Sequence, residues 1–194
     1  GPLIENTFDS VSPRVTTTFK FTPENMIYAN VAKGNKPGVI NPDPRFPPEV
    51  RFADEEESWN YEVGTKNRLF DGRVMANLAL YYIDWKDVQT ILTLPSCSVP
   101  TTLNLGTARS QGVDLAAQLR ASDHLVLGVA IGYNASEYTT TTLGAGGVTI
   151  RSAGEPLGVP PVTLYLNGMY DFRVLSRDAY VRADYTHTTR DNEP

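Results

Sequence analysis

The sequence predicts an all-β protein, an antiparallel up-and-down meander of about eight long strands. Three observations carry the prediction: apolar and polar residues alternate along most of the chain, short turns recur, and long loops separate those turns. The long segments are polar or rich in Pro and Gly, and fall at about 34–57, 93–104 and 139–161. Tight turns at one end of a meander and long loops at the other are typical of an outer-membrane β-barrel.

The predicted strands are long for a soluble sheet. Strands in soluble proteins usually have about 5–6 residues, whereas a strand that spans a bilayer needs about 9–11. The turn at Asp71-Gly72 tolerates positive φ, which favours a hairpin there, and Pro23 fixes φ at another turn. The predicted strands cover residues of about 12–21, 26–33, 58–69, 73–92, 107–120, 124–138, 162–173 and 178–187.

Each predicted strand has one apolar and one polar file of side chains. In the strand at 73–92, for example, Leu78 and Leu80 alternate with Asn77 and Tyr81. The polar files carry charges of both signs, and a small dry core could not hold them without a large desolvation cost. A water-filled or plug-filled lumen can hold them, so we expect the apolar files to face lipid. The predicted lipid-facing residues are Leu78, Leu80, Leu115, Leu127, Val129, Leu164 and Leu166.

Aromatic residues cluster toward the predicted strand ends. Amphipathic rings favour the headgroup level of a membrane, where one edge is wet and the other apolar. Cross-strand aromatic pairing in a soluble sheet is the alternative interpretation. The residues predicted to lie at the membrane interface are Trp59, Tyr82, Trp85, Tyr133 and Tyr138.

The composition excludes several classes of protein. A net charge of -5 argues against nucleic-acid binding, which needs a basic surface. No run approaches the roughly 20 apolar residues of a membrane-spanning helix. The single cysteine, Cys97, excludes an internal disulfide and a Cys-based zinc site. We expect an isolated thiol, or one that pairs with a cysteine outside this segment.

Six segments, taken in order, resemble the barrel of TonB-dependent outer-membrane receptors. They include NYEVGTK at 60–66 and NLALYYIDWKDVQ at 77–89, and the others lie at 12–15, 28–38, 69–73 and 104–114. The resemblance implies a barrel of about 22 strands filled by an N-terminal plug, in the outer membrane of a Gram-negative bacterium. It also implies binding of a scarce ligand such as a ferric siderophore, with import driven by the TonB complex through the plug.

Against that pattern, the segment lacks a plug, a TonB-contacting box and the closing strands. We therefore expect residues 4–194 to be a partial receptor barrel that does not transport alone, and residues 1–3 to be a tag-cleavage scar. An open sheet would also expose two strand edges, through which the fragment could pair with a second copy.

No pattern for catalysis, a cofactor or a metal is visible. His124 and His187 have no triad or metal-ligand spacing around them, and the glycine-rich segment at 144–147 lacks the Lys-Ser/Thr of a phosphate loop. The acidic run at 54–57 has no calcium-ligand spacing, so we expect a solvated loop there. The sequence therefore predicts a protein that is not an enzyme.

Cationic residues in the long loops are the candidates for ligand binding. Convergent cations could attract an anionic chelate, although scattered solvated charges explain the same residues. A second hypothesis is a soluble β-sandwich or small barrel that binds a partner or a carbohydrate through its loops. The candidate ligand-binding residues are Lys33, Lys36, Arg45, Arg51 and Arg151.

Overall fold

A computed structural model of the chain describes residues 7–43, 45–46, 48–94, 99–144 and 147–190. The predicted tag scar at residues 1–3 and the thiol of Cys97 lie outside the described residues. Within the described part there is no helix long and apolar enough to cross a membrane.

Eight long strands form one antiparallel sheet in which each strand pairs with the next long strand along the chain. This arrangement confirms the predicted meander. Three short two-stranded ladders lie in the connections between the long strands. The long strands are β1 (Arg14–Thr22), β2 (Asn25–Lys36), β5 (Glu56–Leu69), β6 (Val74–Lys86), β9 (Ala108–Arg120), β10 (Leu125–Tyr138), β13 (Val162–Val174) and β14 (Arg177–Thr188). The short ones are β3 (Val39–Ile40), β4 (Phe52–Ala53), β7 (Gln89–Leu94), β8 (Val99–Asn104), β11 (Thr142–Leu143) and β12 (Thr149–Arg151), and a 3-10 turn covers Pro48–Val50.

The largest difference from the predicted bounds concerns one strand. The predicted strand at 73–92 ends at Lys86, because Asp87 has a positive φ of 54° and turns the chain out of the sheet. Residues 89–94 then form β7, which pairs with β8 in a separate hairpin. Alternation alone continued past Asp87, so the sequence did not indicate the break.

Four tight turns lie at one end of the sheet, which we call the turn end. Phe70, Asp71 and Gly72 all have positive φ in the β5–β6 turn. Leu175 and Ser176 have φ of 48° and 63° in the β13–β14 turn. The β13–β14 turn has only these two residues, and two consecutive positive φ values match the twist of a two-residue hairpin, which explains why residues other than glycine take this conformation there.

The hydrophobic core lies at the opposite end, the loop end, and not within the sheet. Three connections meet there: the first loop (37–55), the second loop (87–107) and the third loop (139–161). The sheet has no second layer over either face in the described part of the chain, so hydrophobic residues are buried only where the loops fold over the strand ends. The buried hydrophobic residues among those described are Phe46, Ala53, Val88, Leu105, Ala108 and Tyr138.

Candidate functional site

Strand register divides the sheet into two chemically different faces. Residues paired across neighbouring strands share a face, and one row runs through Leu78, Leu115, Ile131 and Leu164. We call this side the apolar face and the other side the polar face. All seven predicted lipid-facing residues lie on the apolar face. Many of them are well exposed, and Leu80 keeps 47% of its surface accessible.

Rows of aromatic side chains lie at both margins of the apolar face, one near the loop end and one near the turn end. At the loop end, the rings of Trp59, Tyr61 and Tyr82 follow one another with centroids 6.4 Å apart. At the turn end, Tyr170 stacks on Phe172 with centroids 6.2 Å apart. Along β6 the band from the turn to Tyr82 measures about 26 Å at about 3.3 Å per residue, close to the apolar band of a membrane barrel.

Two of the five predicted interface aromatics lie elsewhere. Trp59, Tyr82 and Tyr133 are on the apolar face. Trp85 and Tyr138 lie on the polar face, because each is an odd number of residues from the apolar-face positions of its strand. They pack on the polar side of the loop end around Val88 and Ala108, and Tyr138 is only 6% exposed. For these two rings the structure corrects the expectation, because they fill the small core under the loops.

A row of charges lies at the level of Trp59 on the apolar face, two residues farther from the turn end than Tyr61 and Tyr82. Lys33 Nζ is 2.6 Å from Glu57 Oε1, and Arg109 Nη2 is 2.5 Å from Glu137 Oε1. Asp84 pairs with Trp59 and Arg109 in register, in the same row. Charged side chains at this level suit the headgroup region, beyond the hydrocarbon.

On the polar face, glycines make room for tyrosines on the neighbouring strand. Tyr28 pairs with Gly64, and Tyr81 pairs with Gly112. A Cβ on either glycine would collide with the tyrosine ring. The tyrosines therefore lie flat against the sheet, an arrangement known to stabilise strand glycines. Sequence reasoning missed these pairs, which can be found only once the register is known.

These tyrosines belong to polar networks along the sheet. The hydroxyl of Tyr28 donates to Glu62 Oε1 at 2.6 Å, and Asn134 Nδ2 donates to the hydroxyl of Tyr81 at 2.7 Å. Arg182 holds Asp184 through Nε and Nη2, while Tyr165 also donates to Asp184. A shallow groove of about 300 Å³ lies between Tyr28 and Tyr165, over small residues such as Ala130. The polar face is thus a hydrogen-bonded, wettable surface.

Amide side chains clamp the first loop to the second. Asn41 Nδ2 donates to the carbonyls of Val50 and Thr102, and Asn41 Oδ1 accepts the Thr102 N–H at 3.0 Å. Gln89 Nε2 donates to the carbonyls of Pro37 and Asp54, both at 2.9 Å. Sequence reasoning missed this clamp, because its partners are far apart in the chain.

Threonines join the second loop to the third. The Thr107 and Thr139 hydroxyls are 2.6 Å apart, and the Thr107 N–H donates to Thr140 Oγ1 at 3.0 Å. The backbone of Thr139 also donates to the Thr107 carbonyl. The described parts of all three long loops are therefore connected, and they form one cap at the loop end.

The structure does not bring the five candidate cations together. Lys33 lies on the apolar face with Glu57, whereas Lys36 lies on the polar face, 3.8 Å from Glu56. Glu56 is buried and accepts the Gln89 N–H, so the expectation of a solvated acidic run is wrong at this residue. Among the described residues no group of His, Cys, Asp or Glu could hold a metal ion.

The remaining candidates are in the loops, each with a local partner. Arg45 Nε and Nη2 donate hydrogen bonds to the Asp43 carboxylate at 2.9 and 2.7 Å. These bonds lower the pKa of Asp43 to about 2. Arg51 donates to the Phe46 carbonyl. Arg151 pairs with Glu155 at 3.0 Å. Sequence alone could not show these partners.

A one-layer antiparallel meander with an exposed apolar face, aromatic rows at both of its margins and a polar opposite face defines a section of a transmembrane β-barrel wall. The family model for TonB dependent receptor-like, beta-barrel matches residues 3–193. The chain belongs to this family, as its sequence segments predicted. Members of the family are receptors and transporters of the Gram-negative outer membrane, and that is where this chain belongs.

Two curated relatives agree with the family. The chain is 32% identical over 171 residues to the metal-pseudopaline receptor CntO of Pseudomonas aeruginosa, covering 87% of this chain and 22% of the relative. It is 30% identical over 112 residues to the pesticin receptor of Yersinia enterocolitica, covering 58% of this chain and 16% of the relative. The chain thus spans about a fifth of the length of these relatives.

Solved structures share the fold. The ferric yersiniabactin uptake receptor FyuA from Yersinia pestis matches with a TM-score of 0.70 at 23% identity, over 90% of this chain and 25% of that one. The ferric preacinetobactin receptor BauA from Acinetobacter baumannii matches with a TM-score of 0.65 at 22% identity, over 91% of this chain and 25% of that one. The chain therefore shares the fold of the matched part of these receptors.

Proposed function

We propose that the chain forms part of the wall and external cap of a receptor that binds a scarce metal chelate, such as a ferric siderophore, and imports it with energy from TonB. The observation that carries the proposal is the combination of two opposed faces with one hydrogen-bonded loop cap. The apolar face contacts outer-membrane lipid through the leucine and valine rows. The polar face lines the lumen, and the cap meets the ligand from the cell exterior.

The names of relatives support the class of ligand. The curated relative in Pseudomonas aeruginosa is a metal-pseudopaline receptor, and the solved neighbours include receptors for ferric yersiniabactin and ferric preacinetobactin. A metal chelate is therefore the class of ligand that we assign to the full-length protein. Coupling to the TonB complex would run through a plug domain in that protein.

A soluble β-sandwich is not favoured. Such a fold needs a second sheet packed on the apolar face, and no described residue covers that face. Instead, residues such as Val15, Phe19, Leu80 and Val181 are between 47% and 68% exposed. An apolar surface of this extent marks contact with lipid or with another protein.

The two outer strands have unpaired edges. β1 and β14 each pair with one neighbour in the sheet. We propose that these edges pair with further strands of a larger wall, and that an isolated fragment would instead pair with a second copy.

Uptake by the full-length receptor tests the proposal. The receptor would be expressed in a Gram-negative strain without its own siderophore receptors, with and without functional TonB, and supplied with radioactive iron bound to chelators from metal-starved culture medium. We expect uptake only when receptor and TonB are both present. Equal uptake in the TonB-deficient strain would contradict the proposal.

A further inference from the structure

We propose that a basic patch on the polar face, close to the turn end, is a transit site for an anionic metal chelate. The basic patch consists of Lys20, Lys66, Arg68, Arg73 and Arg120. This inference deepens the proposed import of a chelate and rests on it, because it concerns the path of the ligand after the cap. It is carried by five exposed cations that lie together and have no acidic partner among the described residues.

Strand pairing brings three of these cations to one face. Lys20 and Lys66 both pair with Met26, from opposite sides, so about 10 Å separates their backbones. Lys66 also pairs with Asn77, which places this row on the polar face. Arg68 follows Lys66 by two residues in β5 and therefore points to the same side.

Two further arginines extend the basic patch across β6 and β9. Arg68 pairs with Met75, which is two residues from Arg73, and the Arg120 N–H donates to the Arg73 carbonyl at 2.8 Å. Lysine and arginine side chains are long and flexible, so their charged groups can converge on one anion. Neighbouring members lie within about one screening length at physiological salt, roughly 8 Å, so their fields add.

The basic patch differs from the rest of the chain in the pairing of its charges. Among the described residues seven other cations form ion pairs with carboxylates, as Lys33 does with Glu57, but no member of the basic patch forms one. Lys66 Nζ is 5.6 Å from the centroid of the Tyr28 ring, a contact that leaves its charge without a carboxylate. The surface therefore attracts anions from the lumen.

A cavity of about 270 Å³ lies within the basic patch. Lys20, Lys66 and Arg68 line it, and Glu24 is the one acidic residue among its described lining. Because no described ion pair joins Glu24 to these cations, the cavity keeps a net positive charge. It has room for an anionic group of a chelate, although not for a whole drug-sized ligand.

The basic patch is too far from the cap to contact a ligand held there. Ten residues of β5 separate Lys66 from Glu56, which corresponds to about 33 Å at about 3.3 Å per residue. A chelate would therefore meet the basic patch only after it leaves the cap. Water and salt screen exposed cations, so each contact is weak. Weak contacts attract a passing anion without retaining it, which suits transit.

Lysine acetylation of the full-length receptor in lipid nanodiscs tests for the site directly. The probes are ferric N-succinyl-desferrioxamine B, which is anionic, and ferric N-acetyl-desferrioxamine B, which is neutral, each at millimolar concentration. We expect the anionic chelate to slow acetylation of Lys20 and Lys66 by a neutral reagent about fivefold, measured by mass spectrometry. Lys86 is the control, because it is exposed on the opposite face of β6 at the loop end.

Several results would overturn the inference. They are equal slowing by the neutral chelate, equal slowing by sodium sulfate at the same ionic strength, equal slowing at Lys86, and failure of Lys66 to react when no chelate is present. The last result would mean that the basic patch is closed to the lumen in the complete receptor.

Carbodiimide cross-linking separates a chelate from a protein segment as the occupant. The reagent joins an amine to a carboxylate that it touches, and Lys33 with Glu57, 2.6 Å apart, is the internal positive control. We expect that control cross-link to form, and no cross-link from Lys20 or Lys66 to a carboxylate outside residues 1–194. A cross-link of the second kind would make an acidic protein segment the occupant and overturn the transit site.

Uptake of radioactive iron bound to chelators from metal-starved medium tests the role in transport. In the full-length receptor, Lys66→Gln with Arg68→Gln should lower the velocity of TonB-dependent uptake about fivefold and leave binding to TonB-deficient cells unchanged. Lys66→Arg with Arg68→Lys keeps both charges and should transport like the wild type. Arg173→Gln should do the same, because Arg173 is exposed at the turn end and pairs with Asp178.

Wild-type velocity in the double glutamine variant, weaker surface binding by that variant, or slow uptake by the charge-conserving variant would each overturn this inference alone. Uptake that no longer requires TonB would overturn the proposed function instead.

Discussion

Tyr28 lies across Gly64 on the polar face and donates its hydroxyl proton to Glu62, one strand away, at 2.6 Å. The glycine allows the ring to lie flat, and the carboxylate then fixes its position. Tyr81 lies across Gly112 in the same way and accepts a hydrogen bond from Asn134. The polar face thus obtains fixed polar groups from a sheet that has no layer packed over it in the described part of the chain.

The first prediction concerns this tyrosine–glycine pair. Gly64→Val would place methyl groups against the Tyr28 ring and the Leu78 carbonyl, so we expect a loss of about 1–3 kcal/mol in the free energy of unfolding. Urea unfolding of the full-length receptor in lipid vesicles would measure it. Gly168→Ala is the control, because a Cβ there meets only Leu127 at an ordinary 3.4 Å. Equal effects of the two substitutions would contradict the explanation.

The second prediction tests the apolar face with a charge. Leu78 lies midway between the two aromatic rows, so Leu78→Arg should cost roughly 2–4 kcal/mol in the unfolding free energy. Asn77→Arg puts the same side chain on the polar face of the same strand, where water can solvate it, and should cost far less. The two variants can be compared with the wild type by the fraction of each protein that keeps heat-modifiable migration in gels. A similar loss for both variants would count against the assignment of faces.

The third prediction concerns the clamp between the first two loops. Asn41→Ala would remove the acceptor of the Thr102 N–H and a donor to two carbonyls, a loss of about 1–3 kcal/mol for the buried groups left unpaired. We expect the first loop to open, so that trypsin added to intact cells cuts faster after Arg45 and Arg51. Thr149→Ala, an exposed position in the third loop, should leave the cleavage rate unchanged. Unchanged cleavage in Asn41→Ala would show that the clamp is dispensable.

The fourth prediction separates the two tryptophans of the chain. Trp59 lies on the apolar face, whereas Trp85 packs on the polar side of the loop end. In vesicles of brominated lipid, fluorescence quenching of the full-length receptor should decrease in Trp59→Phe and stay the same in Trp85→Phe. A decrease of quenching in Trp85→Phe instead would place that ring in lipid, as its position near a strand end first suggested.

The faces of the sheet were predictable because alternation with a period of two needs no knowledge of partners. Alternation along each strand is enough to place the leucines at 78, 115, 127 and 166 on one face. The same parity would have corrected Trp85, which is an odd number of residues from Leu78, but its position near a strand end was given more weight. Tyr138 was misplaced for the same reason.

The loop cap could not be derived from the sequence. Asn41 contacts Thr102, and Lys33 contacts Glu57, through strand pairing and loop folding that local patterns do not encode. Asp87 interrupts a regular alternation by taking positive φ, a conformation that aspartate tolerates without any sequence pattern that requires it. Prediction therefore succeeded where one strand decides the outcome and failed where distant segments meet.

The most direct test of the central claim is spin-label scanning along β6 of the full-length receptor in lipid, after replacement of native cysteines. Single cysteines at 75 through 80 would be labelled, and collisions with oxygen and with a water-soluble nickel complex would be measured. We expect a period of two, with labels at 76, 78 and 80 accessible to oxygen and labels at 75, 77 and 79 accessible to nickel. Uniform accessibility, or the opposite phase, would contradict the claim that the apolar face meets lipid and the polar face meets the lumen.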